Sequence, residues 1–235
     1  MHSRSCGEAA PPAPLPRPLA REIEVGGYVA LTTTDFPGAL AAVVFCQGCP
    51  WRCRYCHNPH LQAPRSAAAI GWPLLREKLL RRRGLLDAVV FSGGEPTAQA
   101  ALCAAVDEVR AMGFRVGLHT AGIYPARFKR LLPLLDWVGF DIKTAFADYA
   151  SVTGVAAGTA GVRDSLRALL ASGVAYEVRT TVHPELIAPR TLTALAQALA
   201  GLGVRRYVVQ EFRARGCADG MLCASPAAGY LDDCC

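Results

Sequence analysis

Short apolar runs alternate with amphipathic stretches along most of this chain. Six of the runs are rich in Val, Ile or Phe and nearly free of charge, which is typical of strands covered on both faces of a sheet. These predicted strands are 40–45, 86–91, 115–119, 137–142, 175–182 and 206–211. Between them the pattern predicts five helices, at 73–83, 97–112, 125–135, 159–172 and 191–202. Four of these helices are followed by a glycine that can end them in the left-handed conformation, namely Gly84, Gly113, Gly173 and Gly203.

A strand followed by a helix, repeated about six times, predicts an α/β fold with a parallel sheet and right-handed crossovers. Two architectures fit this pattern: an open doubly wound sheet, or a barrel that lacks some of the eight units of a complete one. In either architecture ligands bind at the carboxyl ends of the strands. The chemically distinctive residues follow those ends: a cysteine-rich loop, Ser92-Gly93-Gly94-Glu95-Pro96, His119-Thr120, Asp141-Ile142-Lys143 and Arg179. We therefore expect one site, built by the whole sheet.

The composition divides the chain of 235 residues into three segments. Residues 1–21 are rich in Pro and Ala and have no periodicity, so we expect a disordered leader. Residues 22–213 would form the α/β domain, and 214–235 a cysteine-containing tail. No apolar run approaches the roughly 18 residues that cross a bilayer, and the start does not resemble a signal peptide. We expect a soluble, cytoplasmic protein with no membrane partner.

The net charge of +6, from 25 basic and 19 acidic residues, is mild. Arg81-Arg82-Arg83 follows the first predicted helix, and no aromatic platform accompanies it. This arrangement is more typical of the solvated end of a helix than of a nucleic-acid site. We expect no nucleic-acid partner, although a partner with an anionic surface remains an alternative.

Ten cysteines are unusual in a chain that is large enough to fold without disulfides. Four of them, Cys46, Cys49, Cys53 and Cys56, fall within eleven residues. Clustered thiolates bind zinc or an iron–sulfur cluster. The spacing of the last three lets one loop hold three corners of a four-iron cluster and leave the fourth iron open. Cys46 could supply a fourth ligand or be a spectator, and zinc stays an alternative.

Two motifs resemble those of the radical S-adenosylmethionine (SAM) superfamily. The first is Cys49-x-x-x-Cys53-x-Tyr55-Cys56, with an aromatic residue before the last cysteine, and the second is Gly93-Gly94-Glu95-Pro96. The longer block from Asp35-Phe36-Pro37-Gly38 to His57-Asn58-Pro59 is similar to the activating enzymes of glycyl-radical proteins. It resembles above all the activators of anaerobic ribonucleoside-triphosphate reductase, and the pyruvate formate-lyase activators look similar. The likeness covers about residues 25–213.

The resemblance implies an incomplete (β/α)6 barrel of the TIM type that holds a [4Fe–4S] cluster on Cys49, Cys53 and Cys56. The open iron would chelate SAM, and one electron would cleave the S–C5′ bond of SAM to produce a radical. That radical would remove a hydrogen atom from a glycine of a partner protein. The implied partners are a glycyl-radical protein, here anaerobic ribonucleoside-triphosphate reductase, and a low-potential electron donor such as flavodoxin or ferredoxin.

The same resemblance implies the SAM contacts of the motif residues. Tyr55 would lie beside the adenine, with plain core packing as the alternative. Gly93 and Gly94 would let the backbone pass close to SAM, because glycine has no Cβ and tolerates unusual dihedral angles. Glu95 would orient that loop or accept a hydrogen bond from the SAM amino group.

Asp141 and Lys143 lie on one face of the fourth predicted strand, and the resemblance places them at the ribose and carboxylate of SAM. A structural ion pair is the alternative. Arg179 would contact the SAM carboxylate. His119 stands where the pyruvate formate-lyase activators carry an aspartate, which favours the ribonucleotide-reductase branch. Gln210, with Arg213, would line the side where the glycine enters.

Three other functions stay open at this stage. One is activation of a glycyl-radical enzyme similar to pyruvate formate-lyase. Another is a radical SAM enzyme acting on a small molecule, such as the enzyme that makes a deazaguanine precursor. The third is a four-cysteine iron–sulfur or zinc module for binding or electron transfer. The tail cysteines Cys217, Cys223, Cys234 and Cys235 could also hold a second metal, although their spacing is irregular.

Overall fold

The computed structural model describes residues 18–155 and 158–225. Seven strands in these residues form one sheet in chain order: β1 Val25–Thr32, β2 Ala41–Cys46, β3 Ala88–Gly93, β4 Arg115–Thr120, β5 Trp137–Asp141, β6 Ala175–Val182 and β7 Tyr207–Glu211. Strands β2 to β7 run parallel, and β1 pairs with β2 antiparallel. The described residues form no pairing between β1 and β7, so the barrel is partial and open. This confirms the predicted fold class.

Seven α-helices follow or connect these strands in the described residues: α1 Trp72–Leu80, α2 Leu102–Ala111, α3 Pro125–Leu131, α4 Tyr149–Thr153, α5 Thr159–Ser172, α6 Pro189–Gly201 and α7 Gly220–Ala224. The four glycines predicted to end helices all have positive φ, between 75° and 92°. In the described chain none of the helices combines the length and apolar character needed to cross a membrane.

The six predicted strands are confirmed to within two residues at each end. Strand β1 was not predicted, because Val25–Thr32 contains two adjacent glycines and presents mostly half-buried or exposed side chains. It therefore lacks the continuous apolar run that marks β2 to β5. As an antiparallel edge strand, β1 can face water on one side.

Three predicted helix boundaries were wrong. The helix expected at 97–112 begins only at Leu102, because Pro96–Ala98 forms a short 3-10 turn instead. The helix expected at 125–135 ends at Leu131 and continues as a 3-10 turn, Leu132–Leu134, where Pro133 has no N–H to donate. The first helix ends at Leu80 rather than at residue 83.

Most of the predicted leader, residues 1–17, lies outside the described residues. Its last part is folded: Ala20–Glu22 forms a 3-10 turn, and Ala20 is buried in the main core. The boundary predicted after residue 21 therefore lies too late in the chain.

The main core lies between the sheet and the surrounding helices. Val89, Phe91 and Leu118 of the central strands pack there with Leu75 of α1 and Val106 of α2. Strand β7 is only partly covered, and Gln210 and Glu211 at its end are exposed. The rigid, buried centre of the sheet thus supports the carboxyl ends of the strands, while the edge at β7 is open.

Candidate active site

A cavity of about 280 Å³ lies at the carboxyl ends of the strands. All ten predicted site residues line it: Cys49, Cys53, Tyr55, Cys56, Gly93, Gly94, Glu95, Asp141, Lys143 and Arg179. His119 and Gln210 line it as well, whereas Arg213 is not among the lining residues. The expectation of one site at this edge of the sheet agrees with this placement.

The loop that carries Cys49, Cys53 and Cys56, called the cysteine loop below, forms backbone hydrogen bonds with elements on both sides. The N–H of Cys49 donates to the carbonyl oxygen of Gln62 at 3.1 Å. The N–H of Arg52 donates to Thr153 at 2.8 Å and that of Arg54 to Val152 at 3.2 Å, both on α4. These bonds hold the loop in place without using its side chains, which leaves the thiols free to act as ligands.

Burial disfavours ionisation of the loop thiols in the absence of a positive charge. It is the main cause that raises the pKa of the Cys49 thiol to about 12, and it raises the pKa of Cys53 as well. A bound metal reverses this preference, because coordination deprotonates a thiol outright. The site is therefore suited to metal binding rather than to free thiolate chemistry.

Cys46 is placed differently from the other three cysteines of this region. It ends β2, is fully buried in the main core and does not line the cavity. Burial raises the pKa of its thiol, with a further contribution from Glu95. This position supports the interpretation of Cys46 as a spectator.

Gly93 and Gly94 join the end of β3 to the cysteine loop. The N–H of Gly94 donates to the carbonyl oxygen of Cys46, and the N–H of Glu95 to that of Gly48, each at 2.9 Å. A Cβ on Gly93 would lie 2.6 Å from the backbone of Cys46, and one on Gly94 would lie 2.3 Å from the oxygen of Gly48. Gly93 also has φ of +111°. Glycine is required here for close contact between two protein loops, a reason that the sequence did not reveal.

Glu95 is buried and accepts four hydrogen bonds from the surrounding loops. Its Oε1 accepts from the backbone N–H of Thr97 at 3.0 Å, from the hydroxyl of Thr97, and from the hydroxyl of Thr120 at 2.5 Å. Its Oε2 accepts from the N–H of Ala121 at 2.9 Å. Burial raises the pKa of Glu95 although these donors oppose the rise. The carboxyl group ties the end of β3 to the end of β4, which supports the predicted orienting role.

Asp141 lies between two cationic side chains. Its Oδ1 is 3.0 Å from Nε and 2.9 Å from Nη2 of Arg179, and its Oδ2 is 3.2 Å from Nζ of Lys143. Burial opposes ionisation of Asp141, but the two cations outweigh it and hold the pKa of this carboxyl well below its usual range. Burial likewise opposes the charge on Lys143, and Asp141 keeps the pKa of Lys143 well above its usual value. The group carries one net positive charge at the cavity wall.

Gly139 makes room for this ion group. A Cβ at Gly139 would lie 2.7 Å from Cζ of Arg179, so the guanidinium crosses β5 where a side chain is absent. This role of Gly139 was not predicted from the sequence. An isolated glycine inside a strand is a signal for such close approach.

His119 is held neutral at the end of β4. Its Nε2 lies 2.9 Å from the backbone oxygen of Asp35, and its ring stands edge-on to Trp137 with centroids 5.3 Å apart. Burial, and then the charge of Arg179, lower the pKa of His119 to about 4. Asp35 also lines the cavity, a contribution that the sequence analysis did not assign.

Tyr55 has an apolar environment on one side and a cation on the other. Its ring is 5% exposed and packs with Phe212 and Leu222. The ammonium of Lys143 lies 5.7 Å from the ring centroid. Among the described residues, its hydroxyl is buried without a hydrogen-bond partner.

The donor set fits a four-iron cluster better than a single metal ion. No three His, Cys, Asp or Glu side chains in the described ranges converge closely enough to hold one ion. A zinc ion needs all its thiolates at about 2.3 Å from one point, whereas a cluster distributes them over separate irons. The cavity also offers cationic groups for a carboxylate and lies near the lower end of the volumes, roughly 300 Å³, typical of small-molecule sites. The residues present therefore fit both a cluster and SAM.

Comparison with known proteins shows the family. The model of the radical SAM superfamily matches residues 43–192, more than half of the sequence, and the chain belongs to this superfamily. A protein of Methanocaldococcus jannaschii named for glycyl-radical enzyme activation is 27% identical over 83% of this chain and 82% of its own length. The pyruvate formate-lyase-activating enzyme of Clostridium pasteurianum is 34% identical over 65% of each chain.

Solved structures show the same fold at low sequence identity. Streptococcus suis SuiB bound to S-adenosylmethionine has a TM-score of 0.57 at 14% identity, over 78% of this chain and 40% of that one. Native anSMEcpe with bound AdoMet has a TM-score of 0.59 at 16% identity, over 71% of this chain and 49% of that one. Radical SAM enzymes use a [4Fe–4S] cluster and SAM, so these are the cofactors of this enzyme.

Proposed function

We propose that this enzyme installs a glycyl radical on anaerobic ribonucleoside-triphosphate reductase. The observation that carries the proposal is the single cavity lined by the three motif cysteines and by every predicted SAM residue. The names of the relatives in Methanocaldococcus jannaschii and Clostridium pasteurianum support activation of a glycyl-radical protein. His119, in place of an aspartate, supports the reductase as the partner.

In this proposal Cys49, Cys53 and Cys56 hold the cluster, while Arg179 and Lys143 attract the carboxylate of SAM. When bound together, the reduced cluster and SAM supply a radical strong enough to remove a hydrogen atom from glycine. The protein positions the cofactors and excludes water and oxygen.

Three features keep the SAM-binding wall rigid before any ligand arrives. The backbone at Gly94 and Glu95 is hydrogen-bonded to the cysteine loop and its start, and the Glu95 side chain connects β3 to β4. Asp141 holds the side chains of Lys143 and Arg179 in ion pairs. Because these groups are already oriented, binding SAM needs little further ordering of side chains. The partner's glycine would enter beside Gln210, at the open edge formed by β7.

The test is an anaerobic incubation of the cluster-loaded enzyme with SAM, a low-potential reductant and the candidate reductase. We expect the electron paramagnetic resonance signal of a glycyl radical on the reductase. Replacing Cys56 with Ala should abolish the signal, and the matched change Cys103→Ala, in α2 away from the cavity, should leave it unchanged.

Two other outcomes would contradict the proposed partner. A signal that appears only with pyruvate formate-lyase would identify the partner indicated by the Clostridium pasteurianum relative. SAM cleavage without a signal on either protein would favour a small-molecule substrate. The 7-carboxy-7-deazaguanine synthase of Hyperthermus butylicus, which is 30% identical over 51% of this chain and 55% of its own length, would then indicate the kind of enzyme to test next.

A further inference from the structure

The C-terminal segment 214–225 lies against the cysteine loop. Nε of Arg54 is 2.9 Å from Oδ2 of Asp219, and Leu222 of α7 is fully buried beneath the loop. At Gly216 the backbone passes so close to the loop that a Cβ would lie 2.4 Å from the carbonyl oxygen of His57. The tail is thus packed on the residues around the predicted cluster ligands.

This segment contains two free thiols, those of Cys217 and Cys223. Cys223 on α7 is exposed, and Cys217 before α7 is half-buried. Sγ of Cys223 lies 3.7 Å from the carbonyl oxygen of Cys217 and 3.7 Å from that of Ala214, so it points back into the turn that carries Cys217. Burial raises the pKa of the Cys217 thiol and the neighbouring Cys223 adds to the rise, while the N–H of Asp219 opposes it.

We propose that Cys217 and Cys223 form a redox-active dithiol that low-molecular-weight disulfides oxidise to an intramolecular disulfide. Neither thiol belongs to the predicted cluster ligands, and the proposal does not depend on the proposed function. The exposed thiol of Cys223 is the one that an incoming disulfide can reach. The two cysteines are six positions apart, and the turn between them brings Sγ of Cys223 within 3.7 Å of the backbone oxygen of Cys217.

The reaction balances as an ordinary thiol–disulfide exchange. The Cys223 thiolate attacks one sulfur of the small disulfide, forms a mixed disulfide and releases one small thiol. Cys217, once deprotonated, attacks Sγ of Cys223 and releases the second small thiol. The protein loses two electrons and two protons, and the small disulfide gains them.

Oxidation would change the contact between the tail and the cysteine loop. In the reduced protein Sγ of Cys217 donates to the backbone oxygen of Arg54 at 3.3 Å, between Cys53 and Tyr55. A disulfide sulfur has no hydrogen to donate. Oxidation should therefore weaken the hold of the tail on the loop and increase amide hydrogen exchange in both segments.

The sequence permits a clean assignment of the disulfide. Cleavage after Arg215 and before each Asp puts Cys217 in peptide 216–218, Cys223 in peptide 219–231, and Cys234 with Cys235 in the peptides of 232–235. Cluster-loaded enzyme is incubated anaerobically with oxidised glutathione, alkylated, digested with trypsin and Asp-N, and analysed by mass spectrometry. Identifying the linked peptides by mass spectrometry does not require catalytic activity.

We expect the linked pair 216–218/219–231 to be the predominant oxidised product and to disappear on addition of dithiothreitol. Cys217→Ser should abolish the link completely and leave glutathione on Cys223, whereas Cys103→Ser should not change it. The proposal is overturned if wild-type Cys223 carries only glutathione, remains a free thiol, or is linked to 232–235. Because the decisive measurement uses the wild-type protein, it does not depend on whether a variant folds.

Discussion

Lowering the pH should expose the cost of keeping His119 neutral. Between pH 6.5 and about pH 4 the unfolded chain binds a proton on this side chain, whereas the native protein does not, since burial and Arg179 lower the native pKa to about 4. Unfolding therefore takes up a proton in this window, and the free energy of unfolding falls as the pH falls. At about 1.4 kcal/mol per pH unit, the gap from 6.5 to about 4 amounts to about 3 kcal/mol.

The measurement is urea unfolding of the cluster-free protein, kept reduced, at pH values from 7 to 4. His119→Gln retains a polar side chain of similar reach but does not titrate. The difference in free energy of unfolding between wild type and variant should be constant above pH 6.5. It should then shift against the wild type by about 3 kcal/mol on reaching pH 4. If the free energies of unfolding of the two proteins change in parallel throughout this pH range, the environment assigned to His119 is wrong.

Three further changes test the packing of the site. Gly94→Ala should lower the free energy of unfolding by roughly 1–3 kcal/mol, because its Cβ meets fixed backbone; Gly201→Ala, with open space around it, should be neutral or stabilising. Asp141→Asn should cost about 3 kcal/mol in urea unfolding and weaken SAM binding measured by equilibrium dialysis, because two cations lose their carboxylate; equal stability and affinity would contradict this. Cys46→Ala should keep about four irons per chain in iron analysis after anaerobic reconstitution, whereas Cys56→Ala should lose them; iron loss in the first variant would make Cys46 a ligand.

The sequence was sufficient for the parts of the fold that are buried on both faces. Strands β2 to β5 are continuous apolar runs, and their pattern predicts both their position and the edge where their ends meet. Strand β1 was missed because an edge strand exposes part of its surface and carries no comparable run. The start of α2 was misplaced because Pro96 and the carboxylate of Glu95 favour a separate 3-10 turn before it, and such local capping is not encoded in hydrophobic periodicity.

The ten site residues were predictable because each stands directly at a strand end or in a motif. Their partners were not, because those contacts join segments that are distant in the chain. Gly94 lies against Gly48, and Glu95 receives bonds from the end of β4.

Gly139 shows the limit of the sequence most clearly. A glycine inside a strand indicates a close approach, but the group that approaches it, the guanidinium of Arg179 on β6, is known only from the fold. The same holds for Cys217 and Cys223, whose irregular spacing in the sequence argued against a common role. The turn that leads into α7 brings Sγ of Cys223 back to the backbone of Cys217, and the spacing does not show this turn. A pair of residues acquires chemistry from the distance between its side chains, and that distance is a property of the folded chain rather than of spacing along it.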